Sequence, residues 1–184
     1  MNKITTKIKE YNINMNEMIG RGAFGKVYFA YKLDDEKKYA VKIISLHDLE
    51  GNKLLDREKN PLIFEHTNIV KYYDSYKNDK DLYIMMEYCE GGDLLEIMKK
   101  NKKNIMIEKK ALKLIYPISL ALNYLYKTYK IIHRDVKPEN ILLQNGIPKL
   151  TDFGFSTVEN LSQTSRIGTK RYMAPEVKLI FFMT

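Results

Sequence analysis

The chain has 184 residues, enough for one domain or two small lobes, and 45% of them are apolar, with 14 Tyr and 7 Phe to fill a core. That composition excludes a disordered chain. The single cysteine, Cys89, excludes an internal disulfide and fits a reducing compartment, and no apolar run approaches the roughly 20 residues that span a bilayer. The net charge of +8 comes mostly from lysines spread along the chain, apart from KKNKKN at 99–104, so a solvated basic surface is expected rather than a nucleic-acid site. The opening MNKITTKIKEYNINM has no apolar h-region, so no signal peptide is expected.

The first patterned stretch is Gly20-x-Gly22-x-x-Gly25. Glycines mark any tight turn, so the residues after them discriminate. Val27, Phe29, Tyr31 and Leu33 alternate with Tyr28, Ala30 and Lys32, a strand period where a dinucleotide fold would need a helix. DDEKK at 34–38 reads as a charged turn, and YAVKII at 39–44 as a further strand carrying Lys42. Glycines between two strands let backbone N–H groups approach phosphate oxygens that a Cβ would obstruct. Lys42 in so apolar a strand either snorkels from a sheet edge or gives its ammonium a buried partner.

Further along, residues 82–86 read as a strand, Gly91-Gly92 as a break, and the segment from near Asp93 as a helix with Asp93 as its N-cap or a first-turn acid. Residues 107–126 show apolar spacing at 112, 115, 118, 122 and 125, a helical stripe, with Pro117 inside it predicting a kink. The segment IIHRDVKPENILLQNGIPKLTDFG then places Asp135, Asn140 five residues on and Asp152 seventeen on. Apolar runs at 131–132 and 141–143 read as short strands, and Asn145-Gly146 as a turn. Two carboxylates and a carboxamide brought together suit Mg²⁺, which prefers oxygen ligands.

Five motifs then stand in one order: Gly20-x-Gly22-x-x-Gly25-x-Val27, Ala40-x-Lys42, His133-Arg134-Asp135-x-x-x-x-Asn140, Asp152-Phe153-Gly154 and Ala174-Pro175-Glu176. The set resembles the eukaryotic protein kinases from about residue 11 to 178, and Lys137 within DVKPEN is similar to their serine/threonine branch. EYCEGGDL resembles the NIMA-related groups and GTKRYMAPE the receptor serine/threonine kinases, which leaves the subfamily open. The resemblance implies an α+β, kinase-like two-lobed fold. A small antiparallel β-sheet lobe would span 11–88 and an incomplete, mainly helical large lobe 89–178, flanked by an N-terminal extension (1–10) and an apolar tail (179–184).

It also implies transfer of the γ-phosphate of ATP to Ser/Thr hydroxyls of a protein substrate, with Mg²⁺, in a cytoplasmic or nuclear setting and without nucleic-acid or membrane partners. The backbone of Gly20, Arg21, Gly22, Ala23, Phe24 and Gly25 would cover the ATP phosphates, Ile19 and Lys26 would also line the ATP site, and Lys42 would hold the α/β-phosphates. Val27, Ala40 and Leu142 would sandwich the adenine. Glu87 and Cys89 would bind its edge through their backbone, Met86 would stand as gatekeeper, and Asp93 would face the ribose. Asp152 and Asn140 would hold Mg²⁺, Asp135 would accept the substrate proton, and Lys137 would steady the moving phosphoryl group. Arg134 implies control through a phosphate on the activation segment, at Ser165 or the neighbouring Thr164, placed there by an upstream kinase or by the chain itself. Thr169 takes the position that contacts the catalytic residues.

Three departures from the pattern stand out. The expected ion-pair partner of Lys42 is Glu58, one residue short of the usual distance before His66-Thr67-Asn68-Ile69 and three before Pro61. Pro117 interrupts the long helix. Glu176 stands eight residues before Thr184, where family members continue into further helices, so a truncated, non-catalytic fragment that binds nucleotide without transfer is the alternative reading.

Overall fold

The computed structural model describes residues 5–22, 25–32, 34–35, 37–47, 60–100, 106–158 and 168–175. The chain forms two compact units: Met1–Phe64 with Lys71–Tyr88, and Glu65–Val70 with Cys89–Thr184.

The first unit is a six-stranded antiparallel sheet: β1 (Thr5–Ile8), β2 (Tyr11–Gly22), β3 (Gly25–Lys32), β4 (Lys38–Ser45), β5 (Tyr72–Lys77) and β6 (Asp81–Glu87), in the order β1-β2-β3-β4-β6-β5. Alternation dictates β3: Tyr28 and Ala30 point into a core that also holds Tyr11, Ile13, Tyr39, Val41, Tyr83 and Met85. β4 is apolar without alternation because it is central and covered on both faces. β1 lies inside the segment 1–10 that the motifs set apart as an extension, and it pairs with β2 from Thr5↔Asn14 to Ile8↔Tyr11. A short 3₁₀ turn, Asn60–Ile63, packs near β5.

The second unit holds two α-helices among the described residues, α1 (Leu94–Lys100) and α2 (Glu108–Tyr129), and two short hairpin-like pairs. β7 (Ile131–Ile132) pairs with β10 (Thr157–Val158), and β8 (Ile141–Gln144) with β9 (Ile147–Leu150). The β8–β9 turn is Asn145-Gly146 at φ 51 and 78, the left-handed pair that a two-residue hairpin loop requires. Segment 65–70 joins this unit by lying parallel to β9, with the Val70 amide donating to Leu150 O at 2.9 Å and the Leu150 amide to Asn68 O at 2.8 Å.

α2 corrects the stripe expected from sequence. Leu114, Ile118, Ala121 and Leu125 are the buried positions, while Leu112 and Ile115 are 58% and 49% exposed. Apolar residues extend beyond the buried face, with Leu112, Ile115, Tyr116 and Leu120 exposed, so more than one stripe fits a 3.6-residue period. It runs as one helix through Pro117, whose missing N–H removes a single backbone bond, and ends on Lys130 at φ 56. Among the described residues, no helix is long and apolar enough to cross a membrane.

Candidate active site

In the first unit, β2 and β3 close on Gly22↔Gly25, so the glycine motif is the tip of a hairpin; Ala23 and Phe24 lie outside the described residues. Its glycines differ in what they face. A Cβ on Gly25 would stand 2.3 Å from Ile43 O, a backbone atom of β4, whereas a Cβ on Gly20 would meet only Val27 at 3.8 Å. Gly25→Ala is therefore expected to lower stability by about 1–3 kcal/mol through overpacking, and Gly20→Ala to leave it nearly unchanged; thermal melts of the two variants check this. Lys42 pairs with Val27 on one side and Ile84 on the other and is 4% exposed. β4 is central, which removes the edge-snorkelling alternative. Alternation puts Val27, Ala40 and Lys42 on one face, and Met86 sits beside Ala40. Glu58, the partner assigned to Lys42 from sequence, lies outside the described residues.

In the second unit the chain brings distant residues onto one carboxylate. Asp135 is 3% exposed. Its Oδ1 accepts from the Thr169 amide at 3.0 Å and from Thr169 Oγ1 at 2.7 Å. Its Oδ2 accepts from Lys137 Nζ at 2.9 Å and from Asn140 Nδ2 at 3.0 Å. Lys137 Nζ also donates to Thr169 Oγ1 at 3.0 Å. Burial pushes the Asp135 carboxyl up, but the hydrogen bonds from Lys137 and Thr169, the Lys137 charge and Asn140 together outweigh it and hold it below the usual carboxylate range. Asn140 ends the 3₁₀ turn Pro138–Asn140, and its carbonyl accepts from the Thr151 amide at 3.0 Å, which ties the residue before Asp152 to it. Asp152 adopts φ 63, a left-handed conformation that aspartate tolerates better than most side chains. The oxygen side chains of Asn140 and Asp152 are a donor set that fits Mg²⁺.

The remaining positions are held by backbone. Asp93 Oδ1 accepts from the Glu96 amide at 2.8 Å, so Asp93 caps α1, and Asp93 also bridges to Leu142. The Gly91 amide donates to Leu143 O at 2.9 Å and the Leu143 amide to Gly92 O at 2.9 Å. Cys89 is buried, and its carbonyl accepts from the Gly92 amide at 3.3 Å. Glu87 Oε2 accepts from the Lys71 amide at 3.1 Å. Arg134 stands at φ 66 with its Nε donating to Phe155 O at 2.7 Å.

A protein kinase domain family model matches residues 13–178. The chain belongs to the protein kinase family. It is 36% identical over 167 residues to human serine/threonine-protein kinase Nek5, covering 86% of this chain and 23% of that protein. Against serine/threonine-protein kinase pakA of Talaromyces marneffei the figures are 39%, 92% and 26%, and against serine/threonine-protein kinase dst1 of Dictyostelium discoideum 40%, 89% and 22%. The chain thus spans about a quarter of the length of these relatives.

Two residues of this kinase domain carried no role on sequence grounds. His133 is buried. Its Nε2 donates to Thr151 O at 3.1 Å, its Nδ1 accepts from the Asp135 amide at 3.3 Å, and its ring meets Phe153 edge-on at 5.0 Å. It pins the Asp135 loop to the Asp152 segment, and burial pushes its pKa down, so it stands neutral. A histidine whose folded pKa is depressed gives stability that is full above about 6.5 and lost as pH falls below it, because the unfolded chain takes the proton first. Melting temperature is expected to drop from pH 7 to pH 5.5, and to drop less in His133→Gln. Gly168 is the other. It holds φ 119, and a Cβ there would stand 2.7 Å from Arg134 O. The signal for both was in the sequence: a histidine among isoleucines, and a glycine directly before Thr169. Thr164 and Ser165 lie outside the described residues.

Proposed function

We propose that this chain is the catalytic part of a serine/threonine protein kinase that transfers the γ-phosphate of ATP to a protein hydroxyl. The observation that carries the reading is the coordination of Asp135 by Lys137, Asn140 and Thr169. A carboxylate offers about four lone-pair sites, and four donors fill them here. A substrate hydroxyl can give its proton to Asp135 only if one donor leaves. Lys137 is the donor best placed to do so, because shifting its ammonium to an oxygen of the moving phosphoryl group opens a site on Oδ2. The hydroxyl oxygen then forms the new bond to phosphorus, the bond to the ADP oxygen breaks, and the proton passes to Asp135. Thr169 keeps Oδ1 oriented throughout.

Asn140 and Asp152 would hold Mg²⁺, which when bound neutralises phosphate charge. Lys42 would set the α/β-phosphates, the amides of residues 20–25 would cover them, and Val27, Ala40 and Leu142 would enclose the adenine. Met86, Glu87 and Cys89 would meet the adenine edge and Asp93 the ribose. An acceptor phosphate on Ser165 or Thr164 would pair with Arg134. The substrate would be a protein bearing Ser or Thr.

Nucleotide binding is tested by melting curves: Mg-ATP is expected to raise the melting temperature of the wild type, and Lys42→Ala to lose most of that rise. Phosphoamino-acid analysis of a labelled basic protein substrate is expected to give phosphoserine and phosphothreonine. A melting shift without label on protein would favour the nucleotide-binding, non-transferring alternative.

A further inference from the structure

One hydroxyl of the chain already makes the contacts that a substrate hydroxyl would need. Thr169 Oγ1 donates to Asp135 Oδ1 at 2.7 Å and accepts from Lys137 Nζ at 3.0 Å. A hydroxyl carries one proton and two lone pairs. Here the proton points at the carboxylate that would serve as base, Lys137 takes one lone pair, and the other is left for an electrophile. Lys137 also bonds Asp135 Oδ2 at 2.9 Å, so a phosphoryl oxygen drawn to its ammonium arrives beside both the base and this hydroxyl.

The backbone keeps the hydroxyl in that place. The Thr169 amide donates to the same Oδ1 at 3.0 Å, and the Thr169 carbonyl accepts from the Tyr172 amide at 2.9 Å across the 3₁₀ turn Lys170–Tyr172. Gly168 lies so close to the Asp135 loop that a Cβ would stand 2.7 Å from Arg134 O. A group fixed beside its reaction partner reacts without a second encounter. We propose, resting on the transfer reading above, that Thr169 is a modification site of this chain's own reaction: with no protein substrate bound, the γ-phosphate of ATP passes to Thr169. Oγ1 forms the new bond to phosphorus, the bond to the ADP oxygen breaks, and the hydroxyl proton passes to Asp135. The product sets about −1.5 to −2 charges against a carboxylate that is 3% exposed, with Lys137 as the cation between them. The base is then blocked and Lys137 is occupied, so the modification shuts off transfer to other proteins.

The full chain, incubated with γ-labelled Mg-ATP and no protein substrate, is expected to gain phosphate at Thr169, located by peptide mass spectrometry. The rate constant is expected to be independent of chain concentration. Thr169→Ser is expected to take label at the same position, and Asp135→Asn to take none there. The labelled chain is expected to transfer phosphate to a basic protein about 10²-fold more slowly, or worse, because its base is blocked. Its melting temperature is expected to rise less with Mg-ATP than with Mg-ADP, because Lys137 no longer meets the γ-phosphate. A wild type that labels the basic protein but never Thr169, or labels Thr169 at a rate constant that climbs with chain concentration, would overturn the proposal and leave the transfer reading intact. Undiminished transfer by the labelled chain, or a rise with Mg-ATP as large as before labelling, would overturn the self-limitation. A chain that labels neither Thr169 nor the basic protein would overturn both readings.

Discussion

Asp135→Asn is expected to lower phosphate transfer by about 10²–10⁴-fold, the usual worth of a positioned general base, while the melting shift with Mg-ATP stays. The carboxylate accepts from four donors on two oxygens. An asparagine there has one acceptor oxygen and an NH₂ that turns a donor toward a donor: toward Lys137 and Asn140, or toward Thr169. The base is lost and the local network is broken with it. Comparing labelled transfer with the nucleotide-induced melting shift in the same variant separates the chemistry from binding. Equal transfer by wild type and variant would remove Asp135 from the reaction.

Gly168→Ala is expected to cost nearly as much, through the backbone alone. The backbone at φ 119 is open to glycine and strained for alanine, by about 1–3 kcal/mol. The added Cβ would also stand 2.7 Å from Arg134 O, so residues 168–169 or residue 134 must move. Either shift carries Thr169 or its neighbour Asp135 away from the 2.7 Å hydrogen bond between them. A displacement near 1 Å can cost about a hundredfold in rate. Turnover is therefore expected to fall by about that factor with nucleotide affinity retained. A variant with wild-type turnover would show that Thr169 does not need to be held where it is.

Local rules made much of this legible. The period of two in β3 and the Asn145-Gly146 turn each come from a few adjacent residues and stand as read, and of the two places open to Asp93 the structure takes the cap of α1. What the sequence left open depends on partners far away in the chain. Whether Lys42 stands at an edge is decided by β6, which pairs with β4 across some forty residues, so no local pattern reports it. The buried face of α2 is set by what packs on it, because Leu112, Ile115, Tyr116 and Leu120 are apolar yet lie on the exposed side, where they extend the apolar pattern beyond the buried stripe. β1 is four residues, Thr-Thr-Lys-Ile, too short and too polar to announce a strand, and only its pairing with Tyr11–Asn14 makes it one. The motif around Asp135 was plain in the sequence, but the closing of Thr169 onto it over thirty-four positions was visible only as a resemblance.

The most direct test is transfer of labelled γ-phosphate from Mg-ATP to a serine/threonine-containing basic protein by this 184-residue chain, run beside Asp135→Asn. Label on protein that depends on Mg²⁺ and falls to background in the variant is the expected result. A wild type that binds Mg-ATP, melts higher for it, and still transfers no more than Asp135→Asn would contradict the assignment of catalysis to the chain.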